Sequence, residues 1–446
     1  MSTHDGRTGD IDVLDKFPVL HPSIEIHVNP QGGMLLLGGR LLSLTTQETL
    51  FLRACDGTHR LRDTVPDAWV EECGDLKFLA FVSHALNSGY LSLADQPSHC
   101  PPPLTGSTTA YIPLHLSVEL TAACNLRCHH CYRESDFTQL GYMPTNTLLT
   151  TLDRLAAAGV RAVELTGGEP LLHHNFVDIL EFCGERFRLT GVLTNGTILS
   201  EDIVRKLTSL GDRVLVGVSL DGPTAAVHNM RRGTSDAFQR SAANIARLAE
   251  SGVVVRVAMC VDSENFADIE NTLLLARSLG AAGFAYSAVL PFGRGRTCAG
   301  QHGSLDGKHA FEVEKSLRDK YAGFLSVLTS EELSALEKGN CGAGWRTYVM
   351  DPHGAVRPCP MFGPTDLTIG NLLEESIEEV FGHPVTAALA EMPSPNADIC
   401  DACSRRHFCA HCGLRGFIGS QEGDECEWSR LPAVQKVRRF MSDVSV

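Results

Sequence analysis

The sequence predicts an α/β fold built on a parallel sheet, with a small unit ahead of it and a cysteine-rich region behind it. Three observations carry the prediction. Strand-like and helix-like runs alternate between residue 114 and about residue 290, giving six βα-type units, and repeated units of this kind build parallel sheets. Before them, residues 17–95 read as short strands, then helices, then a closing strand. After them, seven cysteines fall between Cys341 and Cys426. At 446 residues, 43% hydrophobic and 20% charged, the chain suits two or three globular domains with sizeable cores.

Residues 1–16 are expected to form a flexible leader. In the following unit Ile24-Glu25-Ile26-His27-Val28 alternates as a strand, Asn29-Pro30-Gln31-Gly32-Gly33 turns the chain, and 34–37 and 41–44 add short strands. Thr45-Thr46-Gln47-Glu48 has the spacing of a capping box and opens a helix through Leu50, Phe51 and Leu52. Asp56-Gly57-Thr58 stops it. Further helices are predicted near 60–69 and 76–88, the latter with Leu76, Phe78, Leu79, Phe81 and Val82 inward. Gly89-Tyr90-Leu91-Ser92-Leu93 closes a winged-helix-like domain. Residues 96–113, with Pro97, Pro101-Pro102-Pro103 and Gly106-Ser107-Thr108-Thr109, read as a linker.

The core spans 114–300. Its strands are predicted at 114–120, 161–166, 189–194, 213–219, 253–260 and 284–290, and its helices at 145–158, 174–184, 200–209, 236–250 and 265–279. The pattern by itself fits either an open doubly wound sheet or a partial barrel. Residues 301–338 read as a helical connector, 339–430 as the cysteine-rich domain, and 431–446 as a tail with a short helix.

Net charge is −15, which disfavours nucleic acid as a partner, because phosphate binding needs a basic face. No apolar run approaches the roughly 18 residues of a membrane helix. The polar N-terminus lacks a signal peptide's basic start and apolar middle. A cytoplasmic protein without a membrane partner is expected. The sixteen cysteines of a protein in a reducing compartment read as metal ligands before disulfides.

The chemistry concentrates in Cys124-Asn125-Leu126-Arg127-Cys128-His129-His130-Cys131, directly after the first strand. C-x3-C-x2-C spacing can point three thiolates at one centre, and thiolates select iron–sulfur clusters and zinc. A structural zinc site closes on four ligands, whereas a four-iron cluster on three cysteines leaves one iron open. Two plainer readings compete: a zinc knuckle completed by His129 or His130, and a disulfide with a spare thiol.

This loop resembles that of the radical S-adenosylmethionine (SAM) enzymes, C-x3-C-x-φ-C, with His130 at the aromatic-type position. Glu164-Leu165-Thr166-Gly167-Gly168-Glu169-Pro170 resembles the GGEP turn with which that family holds the SAM amino group. The resemblance implies a partial (β/α)6 TIM-type barrel with its functional residues at the C-terminal ends of the strands. It implies a [4Fe-4S] cluster on Cys124, Cys128 and Cys131 whose open iron binds SAM. Cofactor contacts are then expected from His130, Gly167, Gly168, Glu169, Pro170 and Asn195, and at the ribose from Ser219 and Asp221. His228-Asn229-Met230-Arg231-Arg232-Gly233 resembles the family's H-D-x-x-R stretch, with Asn229 in place of Asp. It makes Arg232, or failing it Arg231, the partner of the SAM carboxylate. Pro291-Phe292-Gly293-Arg294-Gly295-Arg296 is similar to the loop near adenine.

The C-terminal cysteines resemble the SPASM extension of these enzymes, C-x9–15-G-x4-C, a gap, C-x2-C-x5-C-x3-C, a gap, and C. The chain departs once, with x2 between Cys409 and Cys412. Family topology implies two auxiliary iron–sulfur clusters, one on Cys400, Cys403, Cys409 and Cys426, the other on Cys341, Cys359 and Cys412. Cys298 and His302 are candidates for a fourth ligand of the latter; zinc is the competing metal. Cys55, Cys73, Cys100, Cys183, Cys260 and Cys298 are given no role, and Cys183 and Cys260 are expected to be buried apolar residues. Residues 18–95 resemble the pyrroloquinoline-quinone-chaperone-like peptide-recognition domain, in which a leader peptide pairs with an edge strand.

Together these resemblances imply a maturase of a ribosomally made precursor peptide, acting by 5′-deoxyadenosyl-radical hydrogen abstraction with an external electron donor. A thioether crosslink is the first expectation. Carbon–carbon crosslinking and epimerisation are the alternatives within the class; a non-catalytic iron–sulfur electron-transfer protein and a DNA-binding regulator are those outside it. Sulfatase maturation is disfavoured because Pro360 follows Cys359 where that subgroup has Asp.

Overall fold

The computed structural model describes residues 13–37, 40–65, 67–139, 141–289, 291–296, 307–325, 339–363, 367–401, 403–409, 411–421 and 426–441. The chain divides into two units, Met1–Ile112 and Pro113–Val446. The leader expected over 1–16 lies outside the described residues as far as residue 12.

In the first unit, β1 (Phe17–Leu20) pairs antiparallel with β5 (Leu91–Ala94). A meander of β2 (Glu25–Asn29), β3 (Gly32–Leu37) and β4 (Arg40–Leu44) forms a second sheet, joined by β6 (Leu104–Gly106) parallel to β2, in the order β4-β3-β2-β6. The capping box forms as predicted. Thr45 Oγ1 accepts from Glu48 N at 3.2 Å and Glu48 Oε2 accepts from Thr45 N at 2.7 Å, opening α1 (Thr46–Ala54). Phe51 of α1 is fully buried and meets Phe78 edge-on, ring centroids 5.3 Å apart.

Three expectations change here. The helices predicted near 60–69 and 76–88 are one helix, α2 (Asp67–Asn87), preceded only by a single 3-10 turn at Leu61–Asp63. Gly74 lies inside this helix, and an internal glycine costs a helix only about 1 kcal/mol. Leu79, predicted inward, is 50% exposed. The segment read as a linker contributes β6, whose pairing to β2 the surrounding prolines concealed.

In the second unit, β7 (His115–Glu119), β8 (Ala162–Thr166), β9 (Leu189–Thr194), β10 (Val214–Ser219), β11 (Val254–Val261) and β12 (Gly283–Ala288) lie side by side in sequence order, all parallel. Between them run α3 (Thr145–Ala158), α4 (Phe176–Arg186), α5 (Glu201–Leu210), α6 (Ala225–Arg232), α7 (Ala237–Glu250) and α8 (Ile269–Ser278). Sequential order without a reversal excludes the doubly wound alternative and gives the partial barrel. The short α6 was not predicted. Its Thr224 cap and Gly233 stop, φ 71°, bracket only eight residues, too few for a periodic signal.

The cysteine-rich region continues the barrel sheet. β13 (Thr347–Met350) pairs parallel with β7, and β14 (Ala355–Arg357) and β15 (Gly370–Asn371) follow antiparallel, giving nine strands in the order β12-β11-β10-β9-β8-β7-β13-β14-β15. The connector contributes a helix at Gly307–Lys320 and the tail one at Pro432–Arg438. Among the described residues no helix is long and apolar enough to cross a membrane.

Candidate metal and cofactor site

The site lies where the parallel strands end. After β7 the chain turns at Thr121, whose Oγ1 donates to Gly141 O at 2.9 Å and accepts from Ala123 N at 3.0 Å. The exit of β8 lies directly against this turn. Gly168 N donates to Thr121 O at 2.7 Å and Glu169 N to Ala123 O at 2.8 Å. A Cβ on Gly168 would stand 2.1 Å from Ala123 O. The glycines of the GGEP turn, expected to contact the cofactor, let two backbones touch and so aim the cysteine loop.

Cys124, Leu126 and Cys128 form one buried cluster with Cys131 against it. The fourteen cysteines whose side chains are described are free. Burial pushes the Cys124 thiol up to about 12 and raises that of Cys128. Buried neutral thiols at this spacing become ligands when a cation displaces their protons. The donor set is soft, threefold and shielded, and it fits an iron–sulfur cluster with one open position.

Residues of other strands fasten this loop. Asn195, at the end of β9, donates from Nδ2 to Asn125 Oδ1 at 2.8 Å, and its Oδ1 accepts from Thr197 N and Oγ1 at 2.8 and 2.6 Å. Asn195, expected to contact SAM, engages the cysteine loop through its amide. After β12, Arg294 Nε donates to Cys128 O at 2.8 Å, its Nη2 to Ser135 O at 2.9 Å, and its backbone N to Cys131 O at 3.0 Å. A Cβ on the preceding Gly293 would meet Tyr132 O at 2.4 Å. The loop expected near adenine is thus also a clamp. Asn125, Thr197 and Arg294 were missed as supports of the loop; the Asn after Cys124 and the Thr after Asn195-Gly196 were the available signals.

Glu169 is fully buried. Its carboxylate accepts from Leu171 N at 3.2 Å, Thr194 Oγ1 at 2.7 Å and Asn195 N at 2.8 Å. Burial nevertheless holds it up to about 7, against the pull of these donors. Asp221, expected at the ribose, pairs with Arg232, with Oδ2 2.8 Å from its Nε and 3.5 Å from His130 Nε2. Burial would raise the Asp221 carboxyl, but Arg232, His130 and His228 and the Cys260 amide bring it down to about 2. Arg232 also approaches Cys128 Sγ at 3.6 Å, so it reaches the thiol cluster while remaining charge-balanced. Burial first, and then the neighbouring arginines, depress His130 to about 4, so it is neutral; its buried Nδ1 has no partner among the described residues. Arg231, the fallback, is committed elsewhere, with both oxygens of Asp262 at 2.9 Å. Ser219 is half-buried at the end of β10, and Pro170 is buried.

The C-terminal thiols sort into two groups by mutual electrostatic influence. Cys341 and Cys359 each feel Cys412, while Cys400 and Cys409 each feel Cys403 and Cys426. Burial pushes Cys359 and Cys409 up to about 12. Asn340, missed in the sequence, anchors the first group. Its Nδ2 donates to Leu389 O and Met392 O at 2.8 Å, and its Oδ1 accepts from Gly342 N and Trp345 Nε1 at 2.9 and 2.7 Å. Cys298 and His302 lie outside the described residues.

Comparison with known proteins agrees with this geometry. The profile of the radical SAM superfamily matches residues 118–276, and that of the SPASM iron–sulfur cluster-binding domain matches 341–404. The antilisterial bacteriocin subtilosin biosynthesis protein AlbA of Bacillus subtilis (strain 168) is 30% identical over 442 residues, 94% of this chain and 98% of that protein. The sporulation killing factor maturation protein SkfB of the same strain is 29% identical over 290 residues, 65% of this chain and 68% of that protein. Streptococcus suis SuiB shares the fold. Its crystal structure with S-adenosylmethionine matches with a TM-score of 0.64 at 14% identity, and that with precursor peptide SuiA with 0.63 at 15%, each over 94% of this chain and 100% of SuiB. This chain is therefore an enzyme that uses SAM with an iron–sulfur cluster and carries further iron–sulfur binding in its SPASM domain. It belongs to the radical SAM superfamily, in the family of SPASM-bearing peptide maturases that includes the subtilosin biosynthesis protein.

Proposed function

We propose that the enzyme matures a ribosomally made precursor peptide by forming a thioether between a cysteine sulfur and a carbon of that peptide. The observation that carries this reading is the grouping of the thiols. Cys341, Cys359 and Cys412 interact as three, and among the described residues no fourth cysteine joins them. Three thiolates would hold a cluster one ligand short of four, and a substrate thiolate is chemically suited to be that ligand. The named roles of AlbA and SkfB, and the capture of precursor peptide SuiA by SuiB, support a peptide substrate.

When bound, SAM and its cluster supply one-electron cleavage of a sulfonium and hydrogen-atom abstraction; the protein positions them and excludes side reactions. Cys124, Cys128 and Cys131 hold that cluster. Glu169, once ionised, accepts the SAM ammonium, and Arg232 faces the carboxylate with Asp221 balancing its charge. Gly167, Gly168 and Pro170 set the turn that carries Glu169, Asn195 braces the loop, His130 lies beside Asp221, and Ser219 is left for the ribose. Cys400, Cys403, Cys409 and Cys426 would hold a second auxiliary cluster with four thiolates. In the first unit β4 is an edge strand carrying exposed Leu41 and Leu42, a surface suited to pairing with a leader peptide. An external one-electron donor completes the cycle.

The test is anaerobic reconstitution with iron, sulfide, SAM and dithionite, followed by addition of a cysteine-containing precursor peptide, to be sought among the small reading frames beside the gene. Formation of 5′-deoxyadenosine, abolished by Cys128→Ala, is expected. The peptide should lose two hydrogens and its cysteine should resist alkylation. An alkylatable cysteine at the same mass loss means a carbon–carbon bond, and an unchanged mass means epimerisation. Protein loaded with zinc that forms no deoxyadenosine overturns the enzyme reading.

A further inference from the structure

Glu119 is the last residue of β7 and is fully buried. Its Oε2 accepts from Arg357 Nη2 at 2.8 Å and pairs with Arg133 Nη1. Arg133 stands two residues after Cys131, and Arg357, the last residue of β14, two residues before Cys359. One carboxylate oxygen therefore ties together the flanks of two cysteine loops.

The surroundings make this a defined joint. The second Nη of Arg357 donates to Phe362 O, and Phe362 N returns to Cys359 O at 3.2 Å, so the same guanidinium closes the turn that carries Cys359. Val118 and Met350 are register partners on β7 and β13, so Asp351 leaves β13 where Glu119 ends β7. Asp351 acts on Arg133, so two acids balance two guanidiniums. The remaining oxygen of Glu119, Oε1, is buried and has no hydrogen-bond partner among the described residues. A buried ion cluster is a weak source of stability compared with apolar packing, and its attested use is to specify one arrangement.

We propose that Glu119 is a positioning residue that fixes the first auxiliary thiol group, through Arg357 and Cys359, at a set distance and orientation from the loop of Cys124, Cys128 and Cys131, through Arg133. The proposal rests on the cluster assignments made above. Replacing the carboxylate removes the tie between the two loops while every cysteine is retained. Arg357 must serve Glu119 and Phe362 O at once, which the forked guanidinium does and a single ammonium does not.

The experiment uses the full chain, reconstituted anaerobically and reduced with dithionite, without peptide. Iron per chain is measured, and pulsed electron paramagnetic resonance reads the dipolar interaction between the two reduced clusters, which falls with the cube of their separation. Glu119→Gln is expected to keep wild-type iron and to lose much of that interaction; Arg357→Lys should show a smaller loss in the same direction. Wild-type iron with an unchanged interaction in both variants overturns the proposal. If Glu119→Gln fails to load iron, Arg357→Lys decides on the same scale, an unchanged interaction again overturning it. A wild-type protein that lacks the first auxiliary signal overturns the cluster assignment itself, which separates the two failures.

Discussion

At Glu169 a fully buried carboxyl is held near 7 by loss of solvation, although three donors face it. A raised acid of this kind contributes stability that is complete below its ordinary value of 4.5 and is lost as pH rises through about 7. The ligand-free protein is strained in this respect at neutral pH, and an ammonium placed beside Glu169 reverses the balance. SAM binding should therefore release a proton below pH 7 and weaken by up to about tenfold for each unit below it. Calorimetry in buffers of different ionisation enthalpy reads that proton, and Glu169→Gln should abolish the pH dependence; binding at pH 6 without proton release would remove Glu169 from the ammonium site. Gly168 offers a steric counterpart. The Cβ of Gly168→Ala meets the backbone oxygen of Ala123, which no side-chain rotation relieves. Overpacking of this kind costs about 1–3 kcal/mol, and the displaced segment leads into Cys124. A lower melting temperature of the cluster-free protein together with reduced iron retention is expected; reduced iron without a change in melting would place the effect elsewhere.

Among the elements, β13 bears the clearest consequence. It covers the flank of β7, whose Leu116 and Val118 are fully buried. A chain ending before the cysteine-rich region would expose the unpaired edge of β7, and such edges pair with other copies. Truncation after residue 338 should give aggregates by size-exclusion chromatography; a stable monomer would show that the SPASM region is an independent appendage. This junction was not legible in the sequence, since two strands separated by 231 residues from Glu119 to Met350 leave no local pattern. The six barrel strands were legible because each is an apolar run punctuated by Gly, Pro or a cap, and the structure moves their ends by only a residue or two. α6 and β6 were not, one being too short for its period and the other sitting among prolines. The thiols and the GGEP turn were readable from spacing. What spacing could not reveal is which side chains hold the loop, because Asn195 and Arg294 reach it from beyond the ends of β9 and β12, Glu119 acts on it through Arg133, and all are ordinary residues in their own segments.

Over the whole molecule, the residues proposed to bind SAM all lie in the second unit, while the surface proposed for a leader peptide lies in the first. Affinity for a long peptide and chemistry on one of its residues can then be altered separately, because engaging the leader converts capture of the reacting segment into an intramolecular event at a raised effective concentration. Leu41 and Leu42 on edge strand β4 are 51% and 40% exposed. Covering the rest of each contributes about 1 kcal/mol, so the pair contributes about 2 kcal/mol, roughly 30-fold in affinity. Substituting exposed residues seldom unfolds a protein, so the double variant Leu41→Asp, Leu42→Asp should weaken leader binding by about that factor in a fluorescence titration with the precursor peptide. Deoxyadenosine formation in the absence of peptide, which uses the second unit alone, reports on its folding. A saturating concentration of peptide should restore the modification rate, since the substitutions remove capture and not chemistry. If binding is unchanged, the leader does not engage β4; if the rate stays low at saturation, the strand does more than hold the peptide.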